Sequence, residues 1–278
     1  MQISDLRKLQ LLQLDMLKEV DRICRKHDIK YSLAAGTLLG AVRHKGFIPW
    51  DDDTDIVMDR KNYSKFKEVC KIELDEEKFF LQDILSDSHY RYIFSQLRLK
   101  KTLYLRKGEE HMLYHQGIPI DIWISEFLPK NIVLRYIATF IIARCKTILY
   151  SPIGVVKGRT LFLRITYKLL SFIPKQIPYK MITSICNFSE KKGVKTAIGS
   201  PNFSIKRVHR SNKILRKRPK DINPEIEFTE LEFEGSMFLA FSNYDELLRF
   251  SYGDYMILPP ETERIGHHTA SEIDFGDF

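Results

Sequence analysis

Apolar and polar positions follow two rhythms along this chain. Over residues 4–28 the apolar side chains step by three and four: Leu9, Leu12, Met16, Val20 and Ile23, with His27 closing the stripe. That spacing predicts an amphipathic helix, with Ser4 placed to cap it. A short strand follows at 31–34, and a helix at 61–70 with Tyr63, Phe66 and Val69 inside. Residues 79–82 and 90–99 read as strands, the second continuing through 100–104 across a basic edge. In 115–125, HQGIPIDIWIS, the period is two. Ile118, Ile120, Ile122 and Ile124 share one face of that strand, and Pro119, Asp121 and Trp123 share the other. Residues 131–190 read as mostly helical. Strands return at 226–228, 231–234 and 237–241, with a turn at Glu234-Gly235-Ser236. A helix at 243–250 precedes a loop at 252–268 that is rich in Pro, acid and His.

Acids break the pattern in two places. Asp51, Asp52, Asp53, Asp55 and Asp59 crowd the approach to the strand-like Ile56-Val57-Met58. Like charges beside apolar sequence are costly unless something neutralises them. A solvated acidic loop does so trivially; a bound divalent cation does so usefully. In an extended segment Asp51, Asp53 and Asp55 point one way and Asp52 the other. A D-x-D pair then offers two carboxylates to one hard cation such as magnesium. Asp121 is a single acid in a very apolar strand, so it is paired, metal-bound, protonated or a turn cap at the strand end. Upstream, Gly36-Thr37 follows the first strand. It is either a simple turn or a place where a phosphate meets the free N–H groups of the next helix, with Thr37 as cap.

Composition adds a bias. The net charge is +8, and residues 204–220, SIKRVHRSNKILRKRPK, hold eight Lys/Arg and no acid. This stretch is a solvated loop or a surface for an anionic partner. The four cysteines, Cys24, Cys70, Cys145 and Cys186, lie far apart. That excludes a zinc knuckle or a disulfide scaffold and fits reduced, buried thiols of a cytoplasmic protein. The first ten residues carry no apolar signal region. Residues 131–156 and 161–187 are apolar, but Arg135, Arg144, Lys146, Arg164, Lys168, Lys175 and Lys180 interrupt them. They predict core helices rather than a membrane span, with a basic amphipathic character that permits peripheral contact at the inner face of a membrane.

The run from Thr37 to Asp55, TLLGAVRHKGFIPWDDDTD, closely resembles the signature of the LicD family, a phosphotransferase branch of the nucleotidyltransferase superfamily to which fukutin-type enzymes are related. Gly117-Ile118-Pro119-Ile120-Asp121-Ile122 resembles the family's second acidic strand. Tyr252-Gly253-Asp254-Tyr255-Met256, with Leu258-Pro259-Pro260, Arg264 and His267, resembles its C-terminal motif. The resemblance implies an α/β (α+β) fold: a nucleotidyltransferase-type mixed sheet with flanking helices and a helical insertion. It implies a catalytic core at 1–130, a helical and basic insertion at 131–220, and strands at 221–278 that complete the same domain. Asp53 and Asp55 match the paired acids, and Asp121 the third. With Asp51 they would hold Mg2+ or Mn2+, and Asp121 would complete the metal site or take a proton. Gly36 and Thr37 match the phosphate-binding turn, Thr37 standing where Ser is usual. Arg43, His44, Lys45, Arg264 and His267 are candidate contacts to the donor. The family's activity would be transfer of a phospho-alcohol, foremost phosphocholine, from a CDP-linked donor to a cell-surface glycan, lipopolysaccharide or teichoic acid. The expected partners are a CDP-alcohol donor and a glycan or lipid-linked glycan acceptor, not nucleic acid. Alternatives are a CDP-ribitol or CDP-glycerol donor, transfer of a nucleoside monophosphate to a small-molecule or nucleic-acid acceptor, or a non-catalytic scaffold.

Overall fold

The computed structural model describes residues 3–127, 129, 131–191, 197–198, 227–266 and 270–278. The basic stretch at 204–220 and His267 lie outside the described residues.

A mixed sheet forms the core, with strand order β1 (Ser32–Leu33), β2 (Asp55–Asp59), β6 (Ile118–Phe127), β4 (Ser95–Leu99) and β3 (Phe79–Gln82). A short β7 (Ala197–Ile198) pairs with the end of β6. β2 and β6 run parallel, while β1–β2, β6–β4 and β4–β3 are antiparallel. With helices packed on this sheet, the fold class is α+β, as the resemblance implies. The period-two reading of 118–124 explains the layering. The four isoleucines are buried in one core with Leu9, Met16, Val20 and Ile23 of α1 (Ile3–Lys26) and with Tyr63 and Phe66 of α3 (Arg60–Glu73). Asp55 and Asp121 are register partners, as are Val57 and Trp123, so these four side chains share the opposite face.

Between β1 and β2 lies α2 (Ala35–His44). Between β4 and β6 lies β5 (Leu103–Arg106). The expected run of strand through 100–104 is interrupted: Lys101 takes φ +60, the chain turns, and β5 pairs instead with the unanticipated C-terminal β10 (Ala270–Asp274). Residues 90–94 are not strand; the ladder begins at Ser95. α1 begins at Ile3, so Ser4 lies inside it rather than capping it.

The expected hairpin forms as β8 (Phe228–Phe233) and β9 (Ser236–Phe241). Glu234 and Gly235 both take positive φ, +50 and +73, which suits the twist of a two-residue hairpin turn. α7 (Tyr244–Tyr252) follows. The helical segment comprises α4 (Ile132–Lys157), α5 (Leu161–Leu170) and α6 (Gln176–Lys191). Ile142, Cys145 and Leu149 of α4 and Ile182 and Cys186 of α6 are buried with Ile84 and Ile93 of the core. By length and composition Val133–Lys157 could cross a membrane, despite its charges. Its inner face is nevertheless buried protein, and α4 is tied to the core where Lys157 Nζ donates to Glu109 Oε1 at 3.1 Å. All four cysteines are free and buried.

Candidate active site

Six of the expected residues, Gly36, Thr37, Asp51, Asp53, Asp55 and Asp121, meet where α2 begins and β2 and β6 lie side by side. Asp55 opens β2, and its register partner Asp121 sits in mid-sheet on β6. Both are buried. The preceding loop brings three more acids: one carboxylate oxygen from each of Asp51, Asp52 and Asp53 lies within 4.8 Å of the others. The expectation that Asp52 turns away fails, because alternation holds only in a strand. Residues 51–54 are irregular, and β2 starts at Asp55. Asp52 is buried and accepts from the Tyr104 hydroxyl at 3.5 Å.

Buried like charges raise one another's affinity for protons. Burial first, then the charges of Asp53 and Asp52, push the Asp51 carboxyl up to about 8. Burial, then Asp53 and Asp121, push Asp55 well above the usual carboxylate range, although Trp123 Nε1 donates to Asp55 Oδ1 at 2.7 Å. Asp121 is better supplied. Gln96 Nε2 donates to its Oδ1 at 2.5 Å, and Arg106 Nη2 lies 3.7 Å from the same oxygen. The Gln96 amide is itself oriented by the buried Arg98, whose Nη2 donates to Gln96 Oε1 at 2.5 Å. Arg98 is fixed in turn by Gln82 Oε1 at 2.8 Å and Gly117 O at 2.7 Å.

The start of α2 explains the Gly-Thr pair. A Cβ on Gly36 would lie 2.3 Å from Asp51 Oδ2, so only glycine lets that carboxylate sit against the first turn. Thr37 is not the cap. The cap position is Ala34, which makes no side-chain bond, and Thr37 Oγ1 instead accepts from the Asp55 N–H at 2.8 Å. The threonine therefore ties the helix to the first residue of β2. Ala35 takes φ +44 at this junction, a conformation costly for a residue with a Cβ and characteristic of sites where geometry outranks comfort.

Arg43, His44 and Lys45 stand at the far end of α2, roughly 10–13 Å along the axis from Gly36 at 1.5 Å per residue. The structure does not gather them with Gly36 and Thr37. Arg43 Nη1 donates to Tyr255 O at 2.7 Å, and Lys45 O accepts from Glu234 N at 2.8 Å. His44 meets the edge of Trp50, with ring centroids 6.4 Å apart. Trp50 also receives the Arg264 guanidinium, 5.6 Å from its ring centroid. A Cβ on Gly266 would lie 3.2 Å from the Asp52 carboxyl, so the C-terminal motif does reach the acidic loop.

Two further groups escape a sequence reading. Gln10 Nε2 donates to Asp51 O at 2.9 Å, and Gln13 Nε2 donates to Asp52 O at 3.2 Å and Pro119 O at 3.1 Å. These amides are buried and hold the acidic loop to β6; the available signal was two polar residues inside the apolar stripe of α1. The second group is aromatic. Trp123 stacks on Phe94 at 4.6 Å, Phe94 meets Tyr92 at 5.1 Å, and Tyr92 meets Tyr90 at 5.4 Å. This wall begins at the Asp55 carboxylate, and Trp123 and Tyr92 remain partly exposed.

Comparison with known proteins identifies the family. Residues 28–131 match the family model described as LicD/FKTN/FKRP, nucleotidyltransferase domain. The chain is 30% identical over 280 residues to the lipopolysaccharide cholinephosphotransferase LicD of Haemophilus influenzae, covering 95% of this chain and 96% of that protein. An uncharacterised protein of Rickettsia typhi is 43% identical over 67 residues, 24% of this chain and 21% of that one. Another from Rickettsia prowazekii is 52% identical over 54 residues, 19% of this chain and 20% of that one.

Proposed function

The chain belongs to the LicD family and is a transferase, and from that premise we propose that it moves phosphocholine from CDP-choline to a hydroxyl of a cell-surface glycan such as lipopolysaccharide. The observation that carries this reading is the convergence of Asp51, Asp53, Asp55 and Asp121 where the acidic loop enters β2 and β2 lies beside β6, next to the first turn of α2.

The donor set fits a divalent cation. These are hard carboxylate oxygens, and two of the groups are driven toward protonation by burial and mutual repulsion when no cation offsets them. Asp51, Asp53, Asp55 and Asp121 would hold Mg2+ or Mn2+, which supplies charge neutralisation to the diphosphate and to the oxygens that enter and leave phosphorus. The acceptor hydroxyl oxygen forms a bond to the phosphorus that carries choline. The bond from that phosphorus to CMP breaks, and CMP departs with its electron pair. The hydroxyl proton passes to a carboxylate, and Asp121 is the residue suited to take it. Gln96 and Arg106 hold its Oδ1, which fixes the direction of the other oxygen. Gly36 and Thr37 keep the first turn of α2 open and fixed against these acids, where its free N–H groups suit phosphate oxygens.

The aromatic wall favours choline over a polyol such as ribitol or glycerol. A quaternary ammonium has no hydrogen to donate and is held by ring faces; the partly exposed Trp123 and Tyr92, backed by the buried Phe94, line the approach to Asp55. A donor screen tests the reading: CDP-choline, CDP-ethanolamine, CDP-glycerol and CDP-ribitol, each with Mg2+, with CMP release as readout and the group left on the acceptor identified. CMP release fastest from CDP-choline with a phosphocholine product supports it. A nucleotide left on the acceptor assigns nucleotidyl transfer instead.

A further inference from the structure

Residues 131–189 contain nine Lys/Arg and not one Asp or Glu. α4 lies against the core through Ile142, Cys145 and Leu149, and α5 lies on α4, with the Tyr167 ring over Gly154 and Arg164 over Gly158. Among the described residues α5 is thus the outermost layer, and none of its own residues is buried. Its outward stripe is nevertheless apolar. Leu161 is 75% exposed, Phe162 77% and Phe172, just beyond its end, 72%, with Ile165 and Leu169 exposed between them. Their spacing of three and four puts them on one face. A soluble surface helix turns such a face inward; this one turns it outward, beside the exposed Arg159 and Lys168, the latter with its ammonium 5.7 Å from the Phe172 ring centroid.

We propose that the α5 face docks in the plane of an anionic lipid surface, its apolar stripe entering the acyl boundary and its cations meeting the headgroups. Charge decides against the other obvious occupant, a second copy of this chain. A symmetric contact would bring two acid-free cationic faces together, with no carboxylate from either to offset them. A membrane rich in anionic lipid supplies both the apolar depth and the missing charge. The buried inner face of α4 and its tie to Glu109 point to an in-plane arrangement rather than a span. The proposal is independent of which phospho-alcohol the enzyme transfers.

Co-sedimentation of the full chain with vesicles tests it, using phosphatidylcholine alone and phosphatidylcholine with phosphatidylglycerol. The expected result is binding to the anionic vesicles that exceeds binding to neutral ones by about tenfold and weakens in high salt. A Leu161→Ser/Phe162→Ser/Phe172→Ser variant, made at side chains that support no packing, should keep its circular dichroism spectrum and lose about tenfold in vesicle binding. Arg159→Glu/Lys168→Glu should lose anionic selectivity. Absence of vesicle binding by the unaltered chain overturns the proposal, as does unchanged binding by the triple variant. Equal binding to neutral and anionic vesicles overturns the anionic assignment. A concentration-dependent dimer abolished by the triple variant, without vesicle binding, gives the face to a second copy instead.

Discussion

The two ends of α2 face different tasks. At its start, Gly36 yields space to the Asp51 carboxylate and Thr37 holds the Asp55 backbone. At its finish, Lys45 caps the helix at φ +59, its carbonyl bonds Glu234 of the β8–β9 turn, and Arg43 holds the Tyr255 carbonyl. One end bounds the proposed site and the other anchors the C-terminal segments to the core. The stretch from 36 to 55 therefore mixes residues of the proposed site with architectural ones, and no spacing rule separates them.

Glycine substitutions separate the two ends of α2 most strongly. Gly36 and Gly40 are one turn apart, and each would drive a Cβ into an oxygen: Asp51 Oδ2 at 2.3 Å and Gly46 O at 2.4 Å. Gly36→Ala is expected to lower CMP release about a hundredfold by displacing a carboxylate. Gly40→Ala should instead cost about 1–3 kcal/mol of stability while the folded fraction stays active. Urea unfolding beside initial rates separates the two. Thr37→Ala removes the acceptor of the buried Asp55 N–H and should cost about 1–3 kcal/mol, with Thr37→Ser restoring most of it.

A subtler effect appears with pH. The Asp51 carboxyl is raised from 3.8 to about 8 in the folded chain. A raised group stabilises the fold fully below the unfolded value and loses that contribution as pH climbs through the folded one. Without a divalent cation, stability from this group therefore falls between about pH 4 and 8. Thermal unfolding in EDTA should show a shallower fall between pH 5 and 8 for Asp51→Asn than for the unaltered chain. Magnesium should raise Tm by more as pH climbs from 5 to 8, because fewer protons then compete for the carboxylates. The smallest effect belongs to the far end. Lys45→Gly relieves a left-handed strain of about 1–2 kcal/mol but adds about 0.4–1 kcal/mol of unfolded-chain entropy, so stability should rise by only about 0–1 kcal/mol with turnover unchanged.

How far the sequence reveals this molecule depends on which residues answer to local rules. β6 was legible because period two sorts four isoleucines from Asp121 and Trp123, and burial on one side obeys that sorting. The hairpin at Glu234-Gly235 was legible because its turn needs positive φ. Asp52 was not, since alternation was carried into a loop that is held by Gln10 and Gln13 rather than by a ladder. β10 and the Arg98–Gln96–Asp121 chain were not, because they join residues that only tertiary packing brings together. The helical segment was legible as helices, but its outward apolar face is a fact of packing and appears only once α5 is seen lying outside α4.

The central claim is that the acids gathered at the start of β2 form a metal-dependent phosphotransfer site. Its most direct test compares the unaltered chain with Asp53→Asn for Mg2+-dependent CMP release from CDP-choline, with folding checked by circular dichroism. Turnover that needs Mg2+ and drops on the order of a thousandfold in the variant, with the spectrum unchanged, is the predicted result. Near-normal turnover by Asp53→Asn, or turnover indifferent to EDTA, would contradict it.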